Sequence, residues 1–517
     1  MNTPLAIDGS SLRISDVVDV ARFGRRVTLA DHARAKMAAS YAWVSTACAQ
    51  DQPVYGVNTG FGSLARVKID PAQTSLLSLN LLRSHAAGVG KPMPVPEVRA
   101  MMLLRANALA KGASGCRPLL VDTLVRMLDA EITPVVPSQG SCGSSGDLAP
   151  LAHLGLAMAD GDHGKVILKG EAMSAADGMA RVGIARLKLE AKDGLAITNG
   201  AQLTTAIAAL AMSDAVELVE AAELAAAMSI EALRGASRAF RAGVHAVRPY
   251  PGAVATAGNL RALFDGSDLI DSMPEKLQDA YSLRCTPQVL GACRDALQYS
   301  GSQIAIELNA VTDNPLILLD EPDENKAFSA GMFHGEPVGI PMDVLKIAVS
   351  ELANLSERRL YRLTTGSLSQ RLPPALASKD RPELGMMVPQ TTAAALVSEN
   401  KALGWPASVD SIPTCEDQED HVAMSTTAAR RAARVVENSR RVVAIELLGA
   451  VRALEFRIAE TPGLRLGAGT AEGLRRAAEV LDNLTDNATP SEAIEILSVW
   501  LQSGGHLGVV DGLERVG

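Results

Sequence analysis

Hydrophobic residues recur at helical spacing through most of the chain. Leu203, Ile207 and Leu210 fall 4 and 3 residues apart, which stacks them on one helical face. The pattern predicts that this helix runs on to Gly235 as its C-cap, with Asp214, Glu217, Glu220 and Glu223 as an acidic, solvated edge. A second helix is predicted after Asp343 as N-cap, with Leu345, Val349, Leu352 and Leu355 as its apolar face, ending before Pro373-Pro374. A third is predicted from about Met424 to Phe456, with Arg430, Arg434 and Arg441 pairing with Glu437 along its surface. Helices this long point to a bundle. Wide apolar faces on several of them predict burial against further copies of the chain, in an oligomer of closed symmetry.

The pattern differs before about Glu97, where short apolar runs mix with turn residues. The run from Pro53 to Gly62 is punctuated by Gly56, Gly60 and Gly62 and predicts a loop. The uncharged stretch from Gly194 to Ser213 has the length of a membrane span. Thr198, Asn199, Gln202, Thr204 and Thr205 within it predict a buried core helix instead. No repeat of roughly 20 to 50 residues marks a solenoid.

Composition narrows the function classes. Apolar residues make up 47% of the 517, enough for a large core, which excludes disorder. Aromatics at 3% argue against base-stacking platforms for single-stranded nucleic acid. The balance of 49 Lys and Arg against 58 Asp and Glu, net -9, argues against nucleic acid or an anionic membrane as partner. Cys48, Cys116, Cys142, Cys285, Cys293 and Cys415 show no CxxC spacing. Asp8, Arg13 and Asp16 interrupt any signal-peptide apolar region. Reduced thiols in a cytoplasmic protein are expected.

The most unusual stretch is Ser138-Gln139-Gly140-Ser141-Cys142-Gly143-Ser144-Ser145-Gly146-Asp147-Leu148-Ala149-Pro150. It lacks GxxxxGK[ST] and GxGxxG, so it is no phosphate cradle, and it lacks the GxSxG of a serine-hydrolase elbow. A flexible linker is the common fate of a Gly/Ser run. This run is short and leads into the apolar Leu148-Ala149-Pro150-Leu151-Ala152-His153-Leu154, which predicts burial. A fourth reading is backbone cyclisation. The Gly146 nitrogen can attack the Ser144 carbonyl because glycine has no Cβ in the way. Loss of one water closes a five-membered ring, and loss of a second from Ser145 leaves an exocyclic methylene. Ordinary side chains are nucleophiles, acids or bases, so an electron sink must be bound or made.

The string Gly143-Ser144-Ser145-Gly146-Asp147-Leu148-Ala149-Pro150-Leu151-Ala152-His153 resembles the signature of the histidine and aromatic amino-acid ammonia-lyases. In that family an Ala-Ser-Gly triad becomes 4-methylideneimidazole-5-one (MIO); here Ser144 replaces the Ala, whose side chain takes no part in ring closure. Ala113-Ser114-Gly115 lacks the Asp-Leu-Ala-Pro context and is a decoy. The resemblance continues in order through Tyr55 to Gly62, Ser84 to Gly88, Thr198-Asn199-Gly200, Gln278 to Arg284, Glu307 to Pro315, Phe333-His334 and Gln418 to His421. Two segments depart from the family pattern: Cys415-Glu416-Asp417 stands where Ser-Ala-Asn is common, and Pro382 to Met387 replaces Asn-Ser-Gly-Phe-Met.

The resemblance implies a mainly α, fumarase/aspartase-like long-helix bundle with a smaller mixed N-terminal domain. The expected division is 1–112, carrying the Tyr loop, and 113–517, carrying the MIO and the oligomer core. It implies a cytoplasmic homotetramer whose pockets are each built from three chains, acting on a small amino acid, with no nucleic-acid or membrane partner. MIO from Ser144-Ser145-Gly146 is the implied electrophile, without a metal or diffusible cofactor; no ligand spacing links His153, His334 and His421.

The implied reaction is loss of ammonia from L-histidine to give trans-urocanate. A 2,3-aminomutase giving a β-amino acid shares the same residues, and a non-catalytic structural relative is a remote third reading. Tyr55 is the implied base, on a loop that its glycines let open and close. Arg284 is implied to hold the substrate carboxylate as a bidentate pair. Asn199 and Tyr281 are implied to line the MIO, Phe333 to wall the pocket, and Asn314 and Gln278 to support the carboxylate end or to act structurally. Ser84-His85 resembles the histidine-type selectivity pair. Glu419 matches a glutamate of the histidine enzymes, and its carboxylate suits an imidazole N–H better than a phenyl ring. Glu416, Asp417 and Asp420 crowd it, so it is read either as one partner in an ion-pair network or as an acid/base group. Met387 is implied to contact the imidazole or to fill the core.

Overall fold

The computed structural model describes residues 3–49, 54, 58–59, 73–144, 146–379, 383–485 and 487–516. The chain is mainly α. The helices that bear on function are α1 (Thr74–His85), α2 (Leu148–Met158), α3 (Asp193–Thr198), α4 (Gln202–Ala232), α5 (Thr286–Glu307), α6 (Glu336–Thr364) and α7 (Ser425–Glu460). With 36 residues, α7 is roughly 54 Å long at the α-helical rise of about 1.5 Å per residue. Alanine, the best helix former, recurs along α4, so little side-chain entropy is lost in it. Its first turns are buried on every face, from Gln202 to Met212, as expected of a core helix rather than a surface one.

Strands are short and form four small sheets among the described residues. Leu5–Ile7 pairs in parallel with Val27–Leu29. Ile132–Pro134, Lys165–Leu168 and Glu171–Ser174 make an antiparallel three-stranded sheet. Two pairs bear on the site. Val89–Pro92 with Pro137–Gln139 leads the chain into the Ser141–Gly146 segment, and Leu316–Ile317 with Ala327–Phe328 brackets the turn after Asn314.

The chain packs as two compact units. The first comprises Met1–Leu210, Gly301–Asp343 and Pro406–Arg430; the second comprises Ala211–Ser300, Val344–Trp405 and Arg431–Gly517. Four of their five limits fall inside α4, α5, α6 and α7, and the fifth falls between Trp405 and Pro406. The first has its core around Met101, Met102, Leu103 and Leu120; the second buries Leu224, Leu260, Leu352 and Ile445. No helix among the described residues is long and apolar enough to cross a membrane.

The structure corrects several helix expectations. The buried stretch from Gly194 is two helices, α3 and α4, broken at Asn199-Gly200-Ala201. Helix α6 begins at Glu336, seven residues before Asp343, and the Asp343 carboxylate caps no helix start but accepts from Ala407 N, Ser408 N and Ser408 Oγ, each at 2.8 Å. Glu223 is no part of a solvated edge. It is buried and accepts from Arg294 Nε and Nη2 (2.8 and 2.9 Å), Thr256 Oγ1 and Asn259 Nδ2 (both 2.7 Å). Helix α4 ends at Ala232, before Gly235, and Arg234 takes the left-handed turn at φ 54°.

Candidate active site

The break between α3 and α4 starts the site. Gly200 has φ 150°, and a Cβ there would strike Arg105, Gln202 and Thr312, so only glycine fits. Its carbonyl faces the Ser-Ser-Gly segment: Gly146 bridges Gly200 in parallel, and Asp147 N donates to Gly200 O at 2.6 Å. Gly146 has φ 74°, and a Cβ there would fall on the Gly200 carbonyl. The next residue pins the segment. Asp147 Oδ1 accepts from Ser141 Oγ, Thr426 Oγ1 and Thr204 Oγ1 (2.7, 2.8 and 2.9 Å), and Oδ2 accepts from Thr204 N at 2.7 Å. Ser144, 6% exposed, has its Oγ buried without a hydrogen-bond partner. A buried, compressed glycine turn that tolerates no Cβ fits the ring closure expected of Ser144-Ser145-Gly146.

A cavity of about 980 Å³ in the first unit opens over this segment. His85 at the end of α1, Ser144, Asn199 after α3, Asn314, Phe333 and Glu419 share its wall. The two amides are oriented by what lies behind them. Asn199 Nδ2 donates to Asn314 O at 3.1 Å and Asp313 Oδ1 at 3.3 Å, which leaves its carbonyl oxygen to offer to the cavity. Asn314 Oδ1 accepts from Ala330 N at 2.9 Å and Ser329 Oγ at 3.2 Å, which leaves its NH2 to offer. One wall therefore presents an acceptor and a donor.

The opposite chemistry gathers around Glu419. Its Oε2 accepts from Thr414 Oγ1 at 2.6 Å. Glu416, Asp420, Cys415, His334 and His421 line the same end. Ser84 Oγ donates to Leu81 O at 3.0 Å and lies 2.9 Å from His85 Nδ1. Burial lowers the His85 pKa, while a hydrogen bond to the Leu81 backbone and then the Glu419 charge pull the other way. Burial raises the Cys142 and Cys415 thiols, and Glu419 adds to both shifts. His334 and His421 stack, with ring centroids 5.5 Å apart, and His334 Nε2 lies 3.3 Å from the His421 carbonyl.

Six of the expected site residues thus meet at one cavity, and Gly146 lies in the loop beneath it. Ser84 touches His85 from behind and does not line it. Gln278, Tyr281, Arg284 and Met387 belong to the second unit and line no part of this cavity. Tyr281 is 71% and Met387 53% exposed, and the Arg284 guanidinium stacks 4.8 Å from the Tyr281 ring centroid. Tyr55 and Ser145 lie outside the described residues. None of Ala113, Ser114 or Gly115 lines the cavity. Sequence reasoning missed the Lys192–Asp313 ion pair behind Asn199 and weighed His334 and His421 only as metal ligands. Their adjacency to Phe333 and Glu419 was the available signal.

The chain belongs to the aromatic amino acid lyase family, whose model matches residues 12–479. A histidine ammonia-lyase of Caldanaerobacter subterraneus subsp. tengcongensis is 46% identical over 484 residues, 93% of each chain. Among solved structures, histidine ammonia-lyase from Trypanosoma cruzi superposes with a TM-score of 0.89 at 36% identity, covering 98% of this chain and 95% of that one. Tyrosine aminomutase from Streptomyces globisporus superposes at 0.91 with 34% identity, covering 99% and 100%.

Proposed function

We propose that this chain eliminates ammonia from L-histidine to give trans-urocanate. The observation that carries the reading is that His85 and Glu419 share one cavity with Ser144 of the Ser-Ser-Gly segment. A zwitterionic α-amino acid suits the wall between them. Asn199 Oδ1 accepts from the ammonium, and Asn314 Nδ2 donates to the carboxylate. At the other end the Glu419 carboxylate offers an acceptor to an imidazole N–H and the His85 ring can share the other side, which suits imidazole and not a phenyl ring. The 46% identity to a histidine ammonia-lyase over 93% of the chain supports the same substrate.

Ser144, Ser145 and Gly146 would form the MIO, which supplies an electrophile for the substrate amine. The remaining tasks fall to ordinary side chains. Tyr55 takes the β-proton, with a lowered pKa required of its phenol. Arg284 grips the carboxylate, with Gln278 beside it, and Tyr281 lines the MIO. Phe333 bounds the ring, and Met387 contacts it. We assign Gln278, Tyr281, Arg284 and Met387 to neighbouring copies in a homotetramer, so a monomer lacks the carboxylate clamp. The free cysteines suit a reducing compartment, and we place the reaction in the cytoplasm.

Incubation with L-histidine, following urocanate absorbance and screening for β-histidine by mass spectrometry, tests the assignment. Urocanate and ammonia in equal amounts are expected. β-Histidine as main product would make the chain an aminomutase, and no turnover of histidine would overturn the substrate.

A further inference from the structure

We propose that Lys192 is a positioning residue: its buried pairing with Asp313 holds the Asn199 amide so that the carbonyl oxygen, and not the NH2, faces the bound amino acid. The inference deepens the reading above and rests on it. Lys192 Nζ lies 2.8 Å from Asp313 Oδ2, with both side chains at most 1% exposed. Such a pair adds little net stability, because desolvating both charges offsets their attraction; a role in fixing one conformation accounts for it better. Lys192 also sits at φ 71°, in the left-handed region, at the start of α3.

The other Asp313 oxygen does the orienting. Oδ1 accepts from Asn314 N at 2.7 Å and from Asn199 Nδ2 at 3.3 Å. The Asn199 amide thus faces two acceptors, Asp313 Oδ1 and Asn314 O. Flipped by 180°, it would set its own oxygen against both. Arg105 secures the main chain at the same point, with Nη1 2.9 Å from Asn199 O and 2.6 Å from Ala196 O. The Asn199 side chain and main chain are therefore held by different groups, Asp313 and Arg105. Without Lys192 on Oδ2 the Asp313 carboxylate loses the partner that fixes its rotation, and Oδ1 is no longer held toward the Asn199 amide.

A double-mutant cycle on the full-length enzyme tests this, run on the amino acid that the wild type deaminates. Histidine specificity then stands or falls on the wild-type assay alone. Lys192→Met should lower kcat roughly 100-fold with KM within about 3-fold, a loss typical of a misaligned reacting group. Intact mass should still be short by two waters, separating misplacement from failed ring formation. Lys192→Met combined with Asn199→Ala should lose no more than about 3-fold beyond Asn199→Ala alone, because both changes remove one interaction. Multiplying losses, or wild-type kcat in Lys192→Met, would overturn the proposal. If Lys192→Met does not fold, Lys192→Met with Asp313→Leu leaves no charge buried and removes the same acceptor. That pair should show the same non-additivity with Asn199→Ala, and additive losses there reject the role equally.

Discussion

Glu446 in the second unit and Asn199 in the first are both buried polar groups, yet they are held in different ways. Glu446 is closed on itself. Oε1 accepts from Arg359 Nε and Ser229 Oγ at 2.5 and 2.8 Å, and Oε2 from Ser356 Oγ and Arg359 Nη2 at 2.6 and 2.7 Å. Asn199 is anchored on one side only, by Asp313 and Asn314, and its other side borders the cavity. Asn314 and His85 repeat the one-sided arrangement. Burial alone therefore does not mark a binding group. A polar group fixed from behind and open in front does, because its orientation is prepared before the ligand arrives.

The sharpest break between the two regions is Ser145→Ala. It should cut kcat by roughly 10⁴-fold, about 5 kcal/mol on the barrier, with the thermal midpoint nearly unchanged. Intact mass would show only linear peptide, and full turnover from such protein would sink the MIO reading. Glu446→Gln should do the reverse. Leaving Arg359 buried against an amide should cost about 3 kcal/mol of stability in urea denaturation, with kcat of the folded enzyme unaltered. A comparable loss of kcat there would erase the distinction between closed and open polar groups.

Glu419→Gln probes one wall of the cavity. kcat/KM for L-histidine should fall about 30-fold, near 2 kcal/mol, while any rate on L-phenylalanine is unaffected or rises. Equal losses on both amino acids would leave Glu419 without a part in selectivity.

Much of this was legible in the sequence. The 3- and 4-residue spacing located the long helices because burial of one face requires it. The Gly-Ser segment declared itself through glycines at positions that refuse a Cβ. The break at Asn199-Gly200 was hidden, since apolar residues continue on both sides of it, and the extended backbone of Asn199 together with the φ of Gly200 separates α3 from α4. Glu223 was misread because periodicity along α4 cannot reveal Arg294, 71 residues away. The same limit concealed Lys192 and Asp313, which stand 121 residues apart. Helix register reports which face is buried, whereas long-range polar pairing depends on tertiary placement.

The smallest expected effect concerns a second-unit side chain that belongs to neither class. His506 is 3% exposed, and its Nε2 comes no nearer than 3.7 Å to Glu217 Oε2. Burial, with Arg515 adding to it and the Leu501 carbonyl opposing, pushes its pKa down to about 4 from the ordinary 6.5. Above about pH 6.5 the ring is neutral folded or unfolded, and nothing is lost. Between the two values the unfolded chain binds the proton first, so stability falls as the pH falls. From about pH 7 to about pH 5.5 the cost is about 1 kcal/mol. Urea midpoints across that range should decline in the wild type, and His506→Gln should remove that part of the slope. An unchanged slope would mean that the ring gains a partner on protonation, with Glu217 the nearest carboxylate, and that the second unit closes this group on itself as it does Glu446.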